Sequence, residues 1–167
     1  VPAIAMCIGP NGMAKTVEEK LKTAQLLLQT GKRDNLKPWQ FIFDVLTFTL
    51  ATGETEFQDS AKATINGIRL VKETLTDSFT VLGLSNVSFG LPVLARRIVN
   101  SVFLYYAIKA GLDAVIINAK DIIPYSDITA NEKNLAENLI FNSHQNALSE
   151  LISYFQEGKS LSKSSVI

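Results

Sequence analysis

The chain has 167 residues, 47% hydrophobic and 19% charged, which suits one folded domain with a sizeable core and excludes a disordered or low-complexity protein. Sixteen Lys and Arg balance sixteen Asp and Glu, so no net field is available to attract nucleic acid or an anionic membrane. Cys7 is the single cysteine, which excludes a disulfide framework and a cysteine-rich zinc site and implies a reducing, cytoplasmic setting.

Apolar runs are broken by Lys, Asp or Arg well short of a membrane span. The opening residues, VPAIAMCIGP, lack the basic leader and cleavage site of a signal peptide. The first predicted strand is the apolar run Ala3 to Ile8, ended by Gly9-Pro10-Asn11-Gly12. A helix follows with Val17, Leu21, Ala24 and Leu28 on one face, Lys20 among the polar residues elsewhere, and Gly31 as its stop. Phe41 to Leu46 is the second predicted strand. After a loop through Gly53, a helix is expected from about Glu54 to Leu75, with Phe57, Ala61, Ile65, Ile68 and Val71 inward.

Thr80 to Leu84 is the third strand. Its helix is predicted from Pro92 to Ala110, with Leu94, Ile98, Val102, Tyr105 and Ile108 as the apolar stripe and Gly111 closing it. Ala114 to Asn118 is the fourth strand, followed by one long helix from about Asn131 to Gln156. Residues 1–157 thus form the domain, and the Ser- and Lys-rich stretch 158–167 reads as a polar tail or linker.

Four strand–helix units with continuously apolar strands predict an α/β fold with a parallel sheet. An open sheet covered on both faces is one solution. The similar lengths and polarities of the helices favour (β/α) repeats of the TIM-barrel type, of which four units are half. Half a barrel leaves two strand edges unpaired and an interior face in water. The chain is therefore expected to be a piece of something larger, or to pair with a second copy as a homo-oligomer.

The segment GLSNVSFG, Gly83 to Gly90, lies where the third strand passes into its helix. In α/β sheets that end of a strand faces the ligand. The Asn86 amide both donates and accepts hydrogen bonds there, flanked by Ser85 and Ser88. Asp44 is a lone carboxylate in an apolar strand, able to accept two parallel hydrogen bonds from an amidine-like edge such as that of an amino-pyrimidinone. Asn118 ends the fourth strand in the same manner, so three strands send a polar side chain to one mouth.

Local chemistry also fits plainer roles: a turn for Asn86, a loop brace for Asp44. His144 reads as a structural residue inside the last helix. Arg96 and Arg97 read as solvated charge that an anionic ligand tail could meet. Trp39 reads as packing at the opposite end of the strands. No GxGxxG, Walker, HExxH or GxSxG pattern occurs.

Five stretches carry a family resemblance: GMAKT (Gly12 to Thr16), IFDVLTFTLATG (Ile42 to Gly53), TVLGLSNVSFGLP (Thr80 to Pro92), NSVFLYYAIKAGLD (Asn100 to Asp113) and LAENLIFN (Leu135 to Asn142). They occur in order along most of the chain. The sequence resembles the pterin-binding, methyltetrahydrofolate-binding domain of cobalamin-dependent methionine synthase and related corrinoid methyltransferases. The resemblance covers only strands five to eight of that family's eightfold barrel. It implies that Asp44 hydrogen-bonds the pterin ring and that Asn86 contacts the methyl-bearing pterin nitrogen as the catalytic group. Ser85 and Ser88 would flank the ligand, and Asn118 would join it where the family pattern is less strict.

By the same resemblance the substrate is methyltetrahydrofolate, and the acceptor is reduced cobalamin carried by another domain or protein. Phe89 and the long last helix favour the methionine synthase branch. Two alternatives stand beside it: a methyltransferase acting on a corrinoid iron–sulfur protein, and a half-barrel serving only binding or assembly. A dihydropteroate-synthase-like enzyme is disfavoured, since that family generally carries a lysine in the region of Asn86. No metal site, nucleic acid or membrane partner is expected.

Overall fold

The computed structural model describes residues 1–157, so the predicted tail lies outside the described residues. Four parallel strands form one sheet: β1 (Ala3–Met6), β4 (Phe41–Asp44), β5 (Phe79–Gly83) and β6 (Ala114–Ile116), side by side in that order. The small β2 (Ile8–Gly9) and β3 (Gly12–Met13) pair antiparallel in a hairpin just after β1. The helices are α1 (Val17–Arg33), α2 (Ser60–Thr74), α3 (Val93–Lys109), α4 (Ala130–Ile140) and α5 (Ala147–Gln156).

The strand order decides the architecture. Each successive sheet strand is laid on the same side of the last, and parallel crossovers are right-handed, so the crossover helices fall on one face. A sheet covered on both faces needs a reversal of strand order, and none occurs. The result is half a (β/α) barrel, with β1 and β6 as its two open edges. Neighbouring helices pack α1 on α2, α2 on α3 and α3 on α4, with α5 against α3 and α4.

Strand alternation sorts the two faces. Phe41 and Phe43 are buried toward the helices, with their rings stacked. Through the parallel register, Ile4, Met6, Ile42, Asp44, Phe79, Val81, Gly83, Ala114 and Ile116 share the opposite face. Among the described residues no helix covers that face. Ile4 is 53% exposed, Met6 50%, Phe79 44% and Ile116 60%. The main core lies between sheet and helices, around Phe43, Ile68, Leu82 and Phe103.

Several element boundaries differ from expectation. Helix α1 passes through Gly31, where the lack of a side chain admits the Phe41 ring, and the chain turns instead at Asn35 with φ 62°. Its start is a capping box: Thr16 Oγ1 accepts from Glu19 N, and Glu19 Oε2 from Thr16 N. The second helix begins at Ser60, after a 3-10 turn at Thr55–Phe57 where Phe57 stacks on Phe48. On α3 the buried face includes Ala95, Val99 and Phe103, whereas Leu94 and Ile108 are exposed.

The long last helix is two helices. Asn142 adopts a left-handed φ of 50°, and the Ser143 amide donates back to Asn138 O, closing α4. His144 thus lies in an exposed connection, 3.6 Å from the Glu150 carboxylate, and not inside a helix. No helix among the described residues is long and apolar enough to cross a membrane.

Candidate functional site

Asp44 closes β4 on the bare face of the sheet, half-buried. Its Oδ1 accepts from the Leu46 amide at 2.9 Å, and no other bond to its side chain occurs among the described residues, so Oδ2 is open. Burial pushes its carboxyl above the ordinary 3.8, against the opposing pull of the Leu46 N–H and the Lys20 ammonium. Leu46 itself sits at φ 65°. A left-handed conformation costs an L-residue about 1–2 kcal/mol, so the turn after Asp44 is held there by its surroundings.

The holding groups are visible. Lys20 is fully buried and donates to Ala14 O at 3.2 Å, Val45 O at 2.6 Å and Leu46 O at 3.1 Å. Thr64 Oγ1 donates to Leu46 O at 3.0 Å. Burial draws the Lys20 ammonium from 10.5 down to about 8, although Cys7 and Asp44 oppose this. The adjacent Cys7 thiol, also buried, is pushed up to about 12.

Asn86 lies in a 3-10 turn, Leu84–Ser88, directly after β5. It is exposed, and no hydrogen bond from another described residue reaches its amide. An ideal Cβ on Gly83, directed to the bare face, would be 3.8 Å from Asn86 Nδ2, which puts the amide over the end of β5 on that face. The loops after β4 and β5 are laced together: Leu50 N donates to Val87 O at 3.0 Å and Thr49 Oγ1 to Phe89 O at 2.5 Å. Asp44 and Asn86 therefore stand at neighbouring strand ends, each with free hydrogen-bonding atoms.

Other sequence-derived candidates fall differently. Ser88 is buried, donating to Ser85 O at 3.2 Å and accepting from Arg96 Nε at 3.4 Å, so it braces the turn from inside. Ser85 is half-buried beside Asn86. Asn118 lies two residues beyond β6, exposed, with Oδ1 accepting from Lys120 N at 3.2 Å as the cap of a 3-10 turn. No hydrogen bond joins it to Asp44 or Asn86.

Arg96 and Arg97 are not simply solvated: the first bonds Ser88, and the second donates to Lys120 O at 3.3 Å. Trp39 is half exposed rather than packed, beside a groove of about 660 Å³ at the far end of the strands that Phe79 and Lys72 also line. Among the described residues no group of three His, Cys, Asp or Glu stands together as a metal cradle.

A family model described as pterin binding enzyme matches residues 2–118. The chain belongs to the pterin-binding enzyme family. Methionine synthase of Mycobacterium tuberculosis is 37% identical over 158 residues, which is 92% of this chain and 13% of that protein. Methionine synthase of Mycobacterium leprae is 38% identical over 143 residues, 83% of this chain and 12% of the relative. A methylcorrinoid:tetrahydrofolate methyltransferase of Eubacterium limosum is 33% identical over 115 residues, 69% of this chain and 40% of the relative. The chain thus spans about an eighth of either mycobacterial protein.

Sequence reasoning missed Lys20, Thr64 and Leu46. The signal for Lys20 was its spacing: with Ala24, Leu28 and Gly31 it completes the buried stripe of α1. Its charge disguised it as a surface residue.

Proposed function

We propose that residues 1–157 form the C-terminal half of a pterin-binding barrel that holds methyltetrahydrofolate and supports transfer of its methyl group to a reduced corrinoid, as in methionine synthase. The observation that carries this reading is the placement of two open polar groups, Asp44 Oδ2 and the Asn86 amide, at adjacent strand ends on a face that none of the described helices covers. The corrinoid is an acceptor brought by another domain or protein, in a reducing cytoplasmic setting that suits the lone buried thiol of Cys7. No nucleic acid or membrane partner enters. The bare apolar face is covered in the working protein, by further barrel units or by a second copy.

In this reading Asp44 accepts the amino-pyrimidinone edge of the pterin in charge-assisted bonds, each worth about 1.5–3 kcal/mol. Burial of that carboxylate reduces competition from water. Methyl transfer breaks the bond between methyl carbon and ring nitrogen, and the electron pair stays on nitrogen. A nitrogen with three carbon substituents leaves readily only when a proton reaches it. The neutral Asn86 amide can turn to support that nitrogen as its protonation changes, which is stabilisation directed at the transition state.

Ser88 and Arg96 act behind it by fixing the turn, and Ser85 lies beside the ligand edge. Asn118 offers a ligand its Nδ2, since Oδ1 is committed to its own backbone turn. The relative named for transfer between methylcorrinoid and tetrahydrofolate supports a corrinoid partner for the same half-reaction in either direction.

Single-turnover methyl transfer from methyltetrahydrofolate to reduced cobalamin, in the full-length natural protein, tests the role of Asn86. Asn86→Ala is expected to slow the chemical step about 10²–10³-fold, as loss of one preorganised donor does. A rate equal to wild type removes the catalytic assignment. Methylation of a separate corrinoid iron–sulfur protein in preference to cobalamin would select the alternative acceptor.

A further inference from the structure

We propose that Lys20 is a positioning residue for the ligand-facing carboxylate: its ammonium, with the Thr64 hydroxyl, fastens the turn that sets Asp44 on the bare face. The proposal rests on the reading above that Asp44 meets the pterin. Its geometry is unusual for a lysine, because the whole side chain is buried and its Nζ makes three hydrogen bonds to backbone carbonyls and none to a carboxylate. Two of those carbonyls, Val45 O and Leu46 O, immediately follow Asp44. The third, Ala14 O, directly follows the β2–β3 hairpin, and the Ala14 amide donates to Cys7 O just past β1, so one cation ties that hairpin to the end of β4.

The scaffold is cut to admit this side chain. Gly67 of α2 leaves its path open, since an added Cβ there would lie 2.8 Å from Lys20 Cδ. Thr64, one helical turn earlier, reaches the same Leu46 carbonyl from the other side. Leu46 is thus gripped at its carbonyl by two donors, while its amide donates to Asp44 Oδ1 at 2.9 Å. The left-handed residue and the carboxylate form one unit, and Lys20 acts on Asp44 through it.

The charged or titratable groups around Lys20 are Asp44, the buried Cys7 thiol, and Glu19 on its own helix. The Phe48 ring lies 5.3 Å from Nζ. An ammonium buried among carbonyls is expensive to desolvate. A need for layer packing alone would be met by an aliphatic chain of equal length.

The test is a double-mutant cycle on ligand affinity in the full-length protein, by calorimetric titration with methyltetrahydrofolate, with urea unfolding to show that each variant is folded. Lys20→Met is expected to weaken binding about tenfold, and Thr64→Val several-fold, from loss of the bonds that fix the turn. In an Asp44→Asn background, Lys20→Met is expected to cost little more, because the carboxylate through which it acts is gone. Wild-type affinity in Lys20→Met, or a loss fully additive with that of Asp44→Asn, overturns the proposal.

Two further readouts keep it decidable. If Asp44→Asn alone binds like wild type, the pterin reading fails, and the positioning role is then judged without ligand. In that case Lys20→Met is expected to move the Leu46 amide resonance and raise the Asp44 titration midpoint, and unchanged spectra overturn the role. If Lys20→Met does not fold, Thr64→Val carries both measurements.

Discussion

Asp44 is kept where the folded state does not favour its charge. Its carboxyl is raised above 3.8 by burial, so its contribution to stability is present below that value and is lost as pH rises through the folded titration. At neutral pH the ionised group therefore opposes folding. Asp44→Asn keeps an oxygen for the Leu46 amide and discards the charge. The expected outcome in urea unfolding at pH 7 is a midpoint equal to or above wild type, together with weaker folate binding. A clear drop in the midpoint would show that the carboxylate braces its loop, the plainer role its sequence also allowed.

Placement at adjacent strand ends was readable for Asp44 and Asn86, whose polar side chains stand out against an apolar background. It was not readable for Ser88, whose hydroxyl faces inward because the 3-10 turn Leu84–Ser88 carries it beneath the exposed Asn86. Lys20 was missed for a related reason: the partners that make a buried cation tolerable are carbonyls 25 and 26 residues away.

At the scale of elements, the layer joining α1, α2 and the strand ends contains two buried titratable groups with opposite pH behaviour. Lys20 titrates near 8 when folded and near 10.5 when unfolded. Its contribution is present above the higher value and lost as pH falls through the lower, so stability rises between pH 8 and 9, by about 1 kcal/mol. Cys7 runs from 9.0 unfolded to about 12 folded, so its contribution falls as pH rises above 9 and offsets the Lys20 rise there. Denaturant unfolding at half-unit steps from pH 7.5 to 10 checks both, with wild type expected to rise to about pH 9 and then level off. Lys20→Met is expected to leave a fall above pH 9 and Cys7→Ala a rise that continues to pH 10, whereas variants with the wild-type profile contradict the buried placement of the pair.

The same scale shows what periodicity conveyed and what it did not. Strands β4, β5 and β6 lie close to their apolar runs, since continuous Val, Ile and Phe leave few alternatives. The last helix was read as continuous because Leu135 and Leu139, then Leu148 and Ile152, each repeat at the helical four-residue spacing, although the nine residues from Leu139 to Leu148 put the two pairs half a turn out of phase. The polar run Asn142 to Asn146 marked the interruption, and Asn142 is a residue type that tolerates the left-handed turn. Gly31 was read as a stop although its lack of a side chain serves the close approach of Phe41.

For the whole molecule, the decisive feature is a sheet covered on one side. Four large apolar residues of the bare face are about half exposed, and β1 and β6 offer unpaired backbone edges. Such surfaces mark contacts with further protein. The 167-residue chain by itself is expected to self-associate in sedimentation velocity at micromolar concentration, and Met6→Lys with Ile116→Lys to shift it toward monomer. A wild-type chain that stays monomeric across that range would contradict the need for a cover. The half-barrel was legible from the count of four strand–helix units, and strand order then removed the two-faced alternative.

In the proposed reading a folate pterin rests against Asp44 at the strand ends. The decisive experiment is calorimetric titration of the full-length natural protein with methyltetrahydrofolate, wild type against Asp44→Asn. The expected result is saturable binding in wild type and an affinity at least about tenfold weaker in the variant, the scale of one lost charge-assisted bond. Equal affinities in the two proteins would contradict it.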